Sequence, residues 1–424
     1  MKFTSVLFDL DGTLTESGLG ITRCAAYACG QMGFPVPDAD ILQRFVGPPL
    51  ILSFMEHVGM TQAQAHRAAA FFRERYAETG WRENRVYSGI APLLRALKKN
   101  GCRLAVATAK PEIFARRIAE HFDFARYFDR IIGIREETAN ADKMDLIRAA
   151  LPEDFDPART VMIGDRRFDI ESAQKLRLNT IGVLYGYGSR AELEAAGADA
   201  IAADPGELYS LLLPDQPRER GRFITFEGAD GCGKSTQMAL LAETLAERGW
   251  NVVTSREPGG CPISESIREV VLDIRNRGMS DICEALLFAA ARAEHVREKI
   301  APSVDRGCIV LCDRYLDSSF AYQARGRELG DDFIRLINAP AVGMTPDRTL
   351  LFVGDQAKIS QRLRGGAALD RMEVEADSFV TRVYQGFADL AQAEPERIHI
   401  IDSNRTIEAI FEDVKRDIGA LLNL

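Results

Sequence analysis

The chain has 424 residues, too many for one ordinary domain, so two or three are expected. Its hydrophobic content is 46% and its charged content 27%, as in ordinary globular proteins, and a net charge of −9 argues against a general nucleic-acid or anionic-membrane binder. No apolar run approaches the roughly 18 residues that span a bilayer, and the start meets an acidic motif too soon for a signal peptide, so a cytoplasmic location is expected. The eight cysteines are scattered without a Cys-x-x-Cys, and the five histidines are dispersed, which suggests no zinc or haem site. Cys308 and Cys312 alternate onto one face of an expected strand and read as core.

Strand-like runs at 3–8, 103–108, 130–134, 160–164 and 180–184 alternate with helical stretches, which predicts an α/β domain with a mostly parallel sheet. Residues 16 to about 84 break that rhythm. They hold amphipathic patterns such as 61–79, with Ala65, Ala68, Ala69, Phe72 and Tyr76, and predict a helical cap inserted after the first strand. That strand runs Val6-Leu7-Phe8 into Asp9-Leu10-Asp11-Gly12-Thr13. Two carboxylates at a buried strand end are costly to desolvate unless a cation or catalysis requires them. Thr108 and Lys110 follow a second strand, Lys143 starts a helix, and Gly164-Asp165-Arg166-Arg167-Phe168-Asp169 follows a third strand. All could converge at one sheet edge. In the cap, the turn Phe45-Val46-Gly47-Pro48-Pro49-Leu50 could face that edge, and Arg44 and Arg82 are either anion contacts or surface residues.

Residues 213–221 are polar with two prolines, the best linker in the chain. They divide it into a domain at 1–213, a linker at 214–221 and a domain at 222–424. In the second domain, strands are expected at 223–227, 251–254, 308–312, 349–353 and 398–401. The first feeds Gly228-Ala229-Asp230-Gly231-Cys232-Gly233-Lys234-Ser235, and a helix leaves the loop with Met238, Leu241 and Leu245 at helical spacing and Gly249 as its stop. This is a complete phosphate-binding loop in a strand–loop–helix setting. Its glycines let backbone N–H groups face a di- or triphosphate, Lys234 reaches the β/γ oxygens, and the Ser235 hydroxyl serves Mg²⁺. Arg256-Glu257-Pro258-Gly259-Gly260 and Asp313-Arg314-Tyr315 each follow a strand, while Phe288 and Arg292 share one helix face at i, i+4. Alone, Phe288 would read as core. Arg362, Arg364 and Arg371 lie in a Gly-containing basic stretch fit to close over phosphates.

The motifs of 222–424, in order, resemble those of thymidylate kinases: the loop, Arg-Glu-Pro-Gly-Gly, Leu-Leu-Phe-Ala-Ala-x-Arg-Ala, Asp-Arg-Tyr-x-x-Ser-Ser-x-Ala-Tyr-Gln and Asp-Arg-x-Glu. The resemblance implies a P-loop nucleoside-monophosphate kinase fold, with ATP as donor and dTMP as acceptor. It implies that Gly228 to Thr236 hold ATP, that Asp230 lies near the acceptor phosphate, and that Ser235 and Asp313 hold Mg²⁺. Arg256 and Arg314 would grip the dTMP phosphate, and Phe288 would stack on thymine. Arg292 would bond its carbonyl edge, and Ser319, Tyr322 and Gln323 would line sugar and base. The lid, with Arg364, would supply the transition-state cation, as in the bacterial arrangement. Ala291, Ala324 and Glu328 depart from the residues common in the family. A homodimer is also implied, and an acceptor such as dUMP is the alternative.

Residues 1–213 resemble haloacid-dehalogenase phosphatases of the phosphoglycolate-phosphatase-like branch, which implies a Rossmann-like core with a helical cap. By that resemblance Asp9 is the nucleophile that forms an aspartyl-phosphate, and Asp11 is the general acid/base. Thr108 and Lys143 would hold phosphoryl oxygens. Asp9, Asp11 and Asp165 would hold Mg²⁺ with Asp169 in support. The substrate would be a small phosphomonoester. The alternative is a silent regulatory or scaffold module.

Overall fold

The computed structural model describes residues 2–47, 50–135, 141–355, 371–372 and 377–422. It divides into two compact units, Met1–Pro217 with Ala246–Trp250, and Arg218–Leu245 with Asn251–Leu424.

The first unit is built on six parallel strands: β1 Ser5–Phe8, β2 Arg103–Pro111, β3 Arg130–Ile134, β4 Thr160–Gly164, β5 Asn179–Val183 and β6 Ala200–Ala202. Their order is β3-β2-β1-β4-β5-β6. Helices cover both faces, so the central strands are buried throughout. Val6 and Phe8 of β1 pack with Leu93, Leu97 and Leu208 on one side, while Leu7 packs with Ile147, Met162 and Ala173 on the other. The sixth strand, three residues of Ala-Ile-Ala, carries too little pattern to have been expected.

The cap follows β1 with helices Gly18–Gln31, Ala39–Gln43, Leu50–Val58 and Gln62–Arg75. It has its own core of Cys24, Ala28, Phe54, Ala65, Ala69 and Phe72. Thr61 and Gln64 form a reciprocal capping box that starts the last helix at Gln62. That helix widens into a π-type turn at Tyr76–Gly80. Gly80 is required there, since a Cβ would lie 2.5 Å from Cys24 Sγ.

The second unit has five parallel strands: β7 Arg222–Gly228, β8 Val252–Arg256, β9 Ile309–Asp313, β10 Arg348–Val353 and β11 Ile398–Asp402. Their order is β11-β10-β7-β9-β8. Cys312 is buried in β9, but Cys308 precedes the strand and is half-buried. The chain is still turning through Gly307, at φ +84°, so the expected alternation does not reach Cys308. Among the described residues, no helix is long and apolar enough to cross a membrane.

Both sheets reverse winding direction beside their first strand, between β1 and β4 and between β7 and β9. Loops leaving the carboxyl ends diverge at such points and open a crevice. The chemistry-bearing residues of each unit gather there.

Candidate active sites

In the first unit, Asp9 follows β1, Asp165 follows β4, Thr108 lies near the end of β2, and Lys143 opens the helix Lys143–Ala150. Lys143 Nζ pairs with Asp9 Oδ1 at 2.8 Å and Asp169 Oδ1 at 2.7 Å. Carboxylate oxygens of Asp9, Asp165 and Asp169 lie within 4.8 Å of one another. One ammonium does not neutralise three carboxylates. Burial, with Asp9 and Asp169 nearby, pushes Asp165 up to about 8. Burial also raises Asp169, to about 6, although Lys143 opposes it. Asp165 Oδ2 accepts from Tyr187 N at 2.8 Å, while its buried Oδ1 has no hydrogen-bond partner among the described residues. Acidic oxygens, close spacing and an unused buried acceptor fit a hard divalent cation such as Mg²⁺. Gly12 makes room for this cluster: its φ is +82°, and a Cβ would lie 2.2 Å from Asp165 Oδ2.

Two expectations change. The Asp11 side chain does not join the cation cluster, because Lys110 Nζ holds its Oδ2 at 2.6 Å. Asp169, expected only in support, is the third carboxylate of the cluster. Nothing local in the strand-end motif gives Lys110 a role, since its importance depends on a partner 99 residues away. Thr108 is buried at the strand end, and its Oγ1 accepts from Lys110 N at 3.3 Å. Of the cap turn, Pro48 and Pro49 lie outside the described residues.

In the second unit, the loop leaves β7 at Gly228, whose φ is +128° and where a Cβ would meet Phe352 O at 2.4 Å. Gly231 and Gly233 also have positive φ, so the loop needs glycine at all three points. Lys234, the first residue of the helix Lys234–Glu247, is buried and donates to Gly228 O at 3.1 Å and Ala229 O at 2.8 Å. Ser235 Oγ donates to Asp313 Oδ2 at 2.7 Å, and the buried Asp313 Oδ1 has no hydrogen-bond partner among the described residues. A hydroxyl and a carboxylate with an unused oxygen suit Mg²⁺.

Arg314 stands at φ +71°, and its guanidinium reaches the loop. It donates to Asp230 Oδ1 at 2.7 Å, Ser318 Oγ at 3.1 Å and the Tyr322 hydroxyl at 3.2 Å. Burial alone would raise Asp230, but Arg314 and Lys234 hold it down at about 2. A cavity opens beside this pair, lined by Asp230, Phe288, Arg292, Arg314, Ser319, Tyr322 and Gln323 among others. Seven expected residues therefore meet in one space. Phe288 is half-buried on its wall, not in the core.

Arg256 does not line this cavity. It borders a separate open depression with Ser235 and Asp313, and pairs with Glu265 at 2.9 Å. Arg371 is also not free to close over phosphates. It is buried, bonding Val271 O at 2.8 Å and Glu284 Oε2 at 2.7 Å. Arg362 and Arg364 lie outside the described residues.

Sequence reading missed the support beneath the cavity. Arg292 is 1% exposed, held by Glu257 Oε2 at 2.8 Å, Asn338 Oδ1 at 2.5 Å and Tyr315 O at 3.2 Å. Glu257 Oε1 also bonds His295 Nδ1 at 3.1 Å, and His295 Nε2 meets Ser255 Oγ at 2.7 Å. Glu284, fully buried, collects Gln323, Arg327 and Arg371. No local signal marks Glu284, because Asp281 and Glu294 share its helix and only the folded chain shows which carboxylate is buried.

The family model "Thymidylate kinase" matches residues 226–414. A thymidylate kinase of Exiguobacterium sibiricum is 45% identical over 199 residues, covering 47% of this chain and 94% of the relative. That of Bifidobacterium longum strain NCC 2705 is 47% identical over 205 residues, covering 47% and 98%. The chain belongs to the thymidylate kinase family. Membership rests on the second unit. The model "Haloacid dehalogenase-like hydrolase" matches residues 6–183, so a domain of that kind precedes the thymidylate kinase domain. Among solved structures, a haloacid dehalogenase-like hydrolase from Streptococcus pneumoniae has 31% identity and a TM-score of 0.46, covering 50% of this chain and 98% of its own. A thymidylate kinase from Ehrlichia chaffeensis has 35% identity and a TM-score of 0.39, covering 47% and 98%.

Proposed function

We propose a bifunctional enzyme in which residues 222–424 transfer the γ-phosphoryl group of ATP to dTMP. Residues 1–213 hydrolyse a small phosphomonoester through a phosphorylated Asp9, and 214–221 join the two domains. The observation that carries the kinase reading is the Ser235–Asp313 pair, 2.7 Å apart, next in the chain to Arg314, which lines a cavity with Phe288. Phosphoryl transfer requires positioning and charge neutralisation more than covalent help. Lys234 would exchange its loop carbonyls for ATP oxygens. Arg314 would exchange Asp230 for the acceptor phosphate, leaving Asp230 beside the attacking oxygen. Phe288 offers a face for the base, and Arg292, fixed by three partners, offers a rigid edge. Ser235 and Asp313 would hold Mg²⁺, which neutralises phosphate charge when bound.

In the hydrolase domain, Asp9 attacks phosphorus while Lys143 and Thr108 hold phosphoryl oxygens, and Asp11 exchanges the proton with the leaving oxygen. Asp9, Asp165 and Asp169 would hold Mg²⁺. Intact chemistry at every one of these positions favours a working hydrolase over a silent module. Because the two activities would oppose each other on dTMP, the hydrolase is expected to prefer another phosphomonoester. Mg²⁺-dependent hydrolysis of p-nitrophenyl phosphate, lost in Asp9→Asn while dTDP formation persists, tests this. Retention of hydrolysis in that variant would refute the assignment.

Two further parts of the reading are a homodimer and a cytoplasmic location. The dimer is supported by exposed Ile263 and Val270 on the helix Pro262–Leu272 and by Ile282 and Leu286 on Asp281–His295. Spaced at seven and four residues, each pair lies on one helix face, an apolar stripe of the kind that marks an interface. Leu286→Glu is expected to convert a dimer to a monomer by light scattering, and an unchanged mass would count against this face. The cytoplasmic location is supported by free cysteines.

A further inference from the structure

Among the described residues of the first unit, Lys110 is a buried cation that the reaction described above does not use. Its side chain is 7% exposed, its Nζ lies 2.6 Å from Asp11 Oδ2, and it sits 5.1 Å from the ring centroid of Tyr76. Tyr76 belongs to the cap, at the start of its π-type turn, and is itself wedged between Phe72, stacked at 5.8 Å, and Phe114, edge-on at 5.2 Å. The other oxygen of Asp11, Oδ1, is buried without a hydrogen-bond partner among the described residues. A cap aromatic therefore presses on a core ammonium, which fixes one oxygen of a carboxyl and leaves the second to act.

We infer that Lys110, seated by Tyr76 of the cap, is the positioning residue that presents Asp11 Oδ1 to the leaving oxygen of the substrate. The inference rests on the hydrolase reading. In the first half-reaction a bond forms between an Asp9 oxygen and phosphorus, and the bond from phosphorus to the leaving oxygen breaks. The electron pair stays on that oxygen, and the proton on Asp11 Oδ1 passes to it. Without Lys110 the carboxyl rotates about its own bond and the proton is misplaced, while attack by Asp9 is untouched. Since Tyr76 is carried by the cap, the acid is correctly set only when the cap is seated, which links substrate enclosure to proton delivery.

The loss must then depend on how much the leaving group needs a proton. A graded series of substituted phenyl phosphates, from p-nitro to p-methoxy, keeps shape and charge nearly constant while that need rises. In full-length Lys110→Met, kcat on p-nitrophenyl phosphate is expected to fall less than about threefold, and on the p-methoxy ester by about 10²-fold or more, within the range of general acid catalysis. Tyr76→Leu is expected to steepen the same dependence by about tenfold. In an Asp11→Asn background, Lys110→Met is expected to add nothing, since the two act as one unit. The retained p-nitrophenyl activity reports that the variants are folded. An equal loss across the series, or full additivity with Asp11→Asn, would overturn the inference and leave the hydrolase reading standing. A wild-type chain inactive on every ester would overturn both.

Discussion

Glu257 bears most directly on how the acceptor cavity is built. It is 4% exposed, and its carboxylate faces a guanidinium, Arg292, that is 1% exposed, with Oε2 to Nε at 2.8 Å. Glu257→Gln keeps the volume and one acceptor but removes the charge. With charge centres about 4 Å apart and an effective dielectric constant of about 20, the lost attraction is about 4 kcal/mol, within the roughly 3–5 kcal/mol typical of a broken buried pair. For a domain of about 200 residues, about 4 kcal/mol corresponds to a fall in Tm on the order of 10 °C. The second effect is functional. Arg292 loses the partner that fixes its Nε, so KM for dTMP is expected to rise at least about tenfold, or about 1.4 kcal/mol. KM for ATP, bound across the loop, should change little. Calorimetry of the full chain, with the kinase transition identified by its shift on adding dTMP, gives the first number, and steady-state kinetics the second. An unchanged Tm together with an unchanged KM for dTMP would refute the reasoning.

Removing one half of the proposed Mg²⁺ site, by Asp313→Asn, is expected to lower kcat for dTDP formation by about 10²–10³-fold and to raise the Mg²⁺ concentration needed for half activity. Titrating Mg²⁺ at saturating ATP checks this. Glu227 offers a pH test: burial first, and Asp317 nearby, raise it from 4.5 to about 8. The folded state then binds the proton more tightly than the unfolded state. This group's contribution is intact below about 4.5 and is lost as pH rises toward about 8. Thermal melts should show kinase stability declining across that window and the decline flattened in Glu227→Gln. A Gln variant with the wild-type slope would remove Glu227 as the cause. Gly12→Ala should abolish hydrolysis, because its Cβ would overlap Asp165 Oδ2 at 2.2 Å, while leaving dTDP formation intact.

Most of what was legible in the sequence is local. The strand-to-helix loop at Gly228–Ser235 and the carboxylates after β1 announce themselves, because glycine at positive φ and charge at a buried strand end are both expensive without a purpose. The course of the sheets followed from apolar runs, except for the short β6. What was not legible is long-range pairing. Nothing near Arg371 reveals that Glu284, 87 residues away, will bury it. The same holds for Lys110 and Asp11, 99 residues apart, whose pairing moves Asp11 out of the cation cluster. Arg292 was legible as a ligand-facing residue from its spacing to Phe288. Its dependence on Glu257 and Asn338 was not, since those partners come from other elements.

On the proposed function, one chain carries two separate active sites. The most direct test is chromatographic product analysis of the purified full-length protein with MgATP and dTMP, alongside Asp9→Asn and Lys234→Met. The wild type and Asp9→Asn should accumulate dTDP with one ADP for each, and Lys234→Met should form no dTDP yet still hydrolyse p-nitrophenyl phosphate. Thymidine accumulating in place of dTDP in the wild type, or loss of both activities in either single variant, would contradict it.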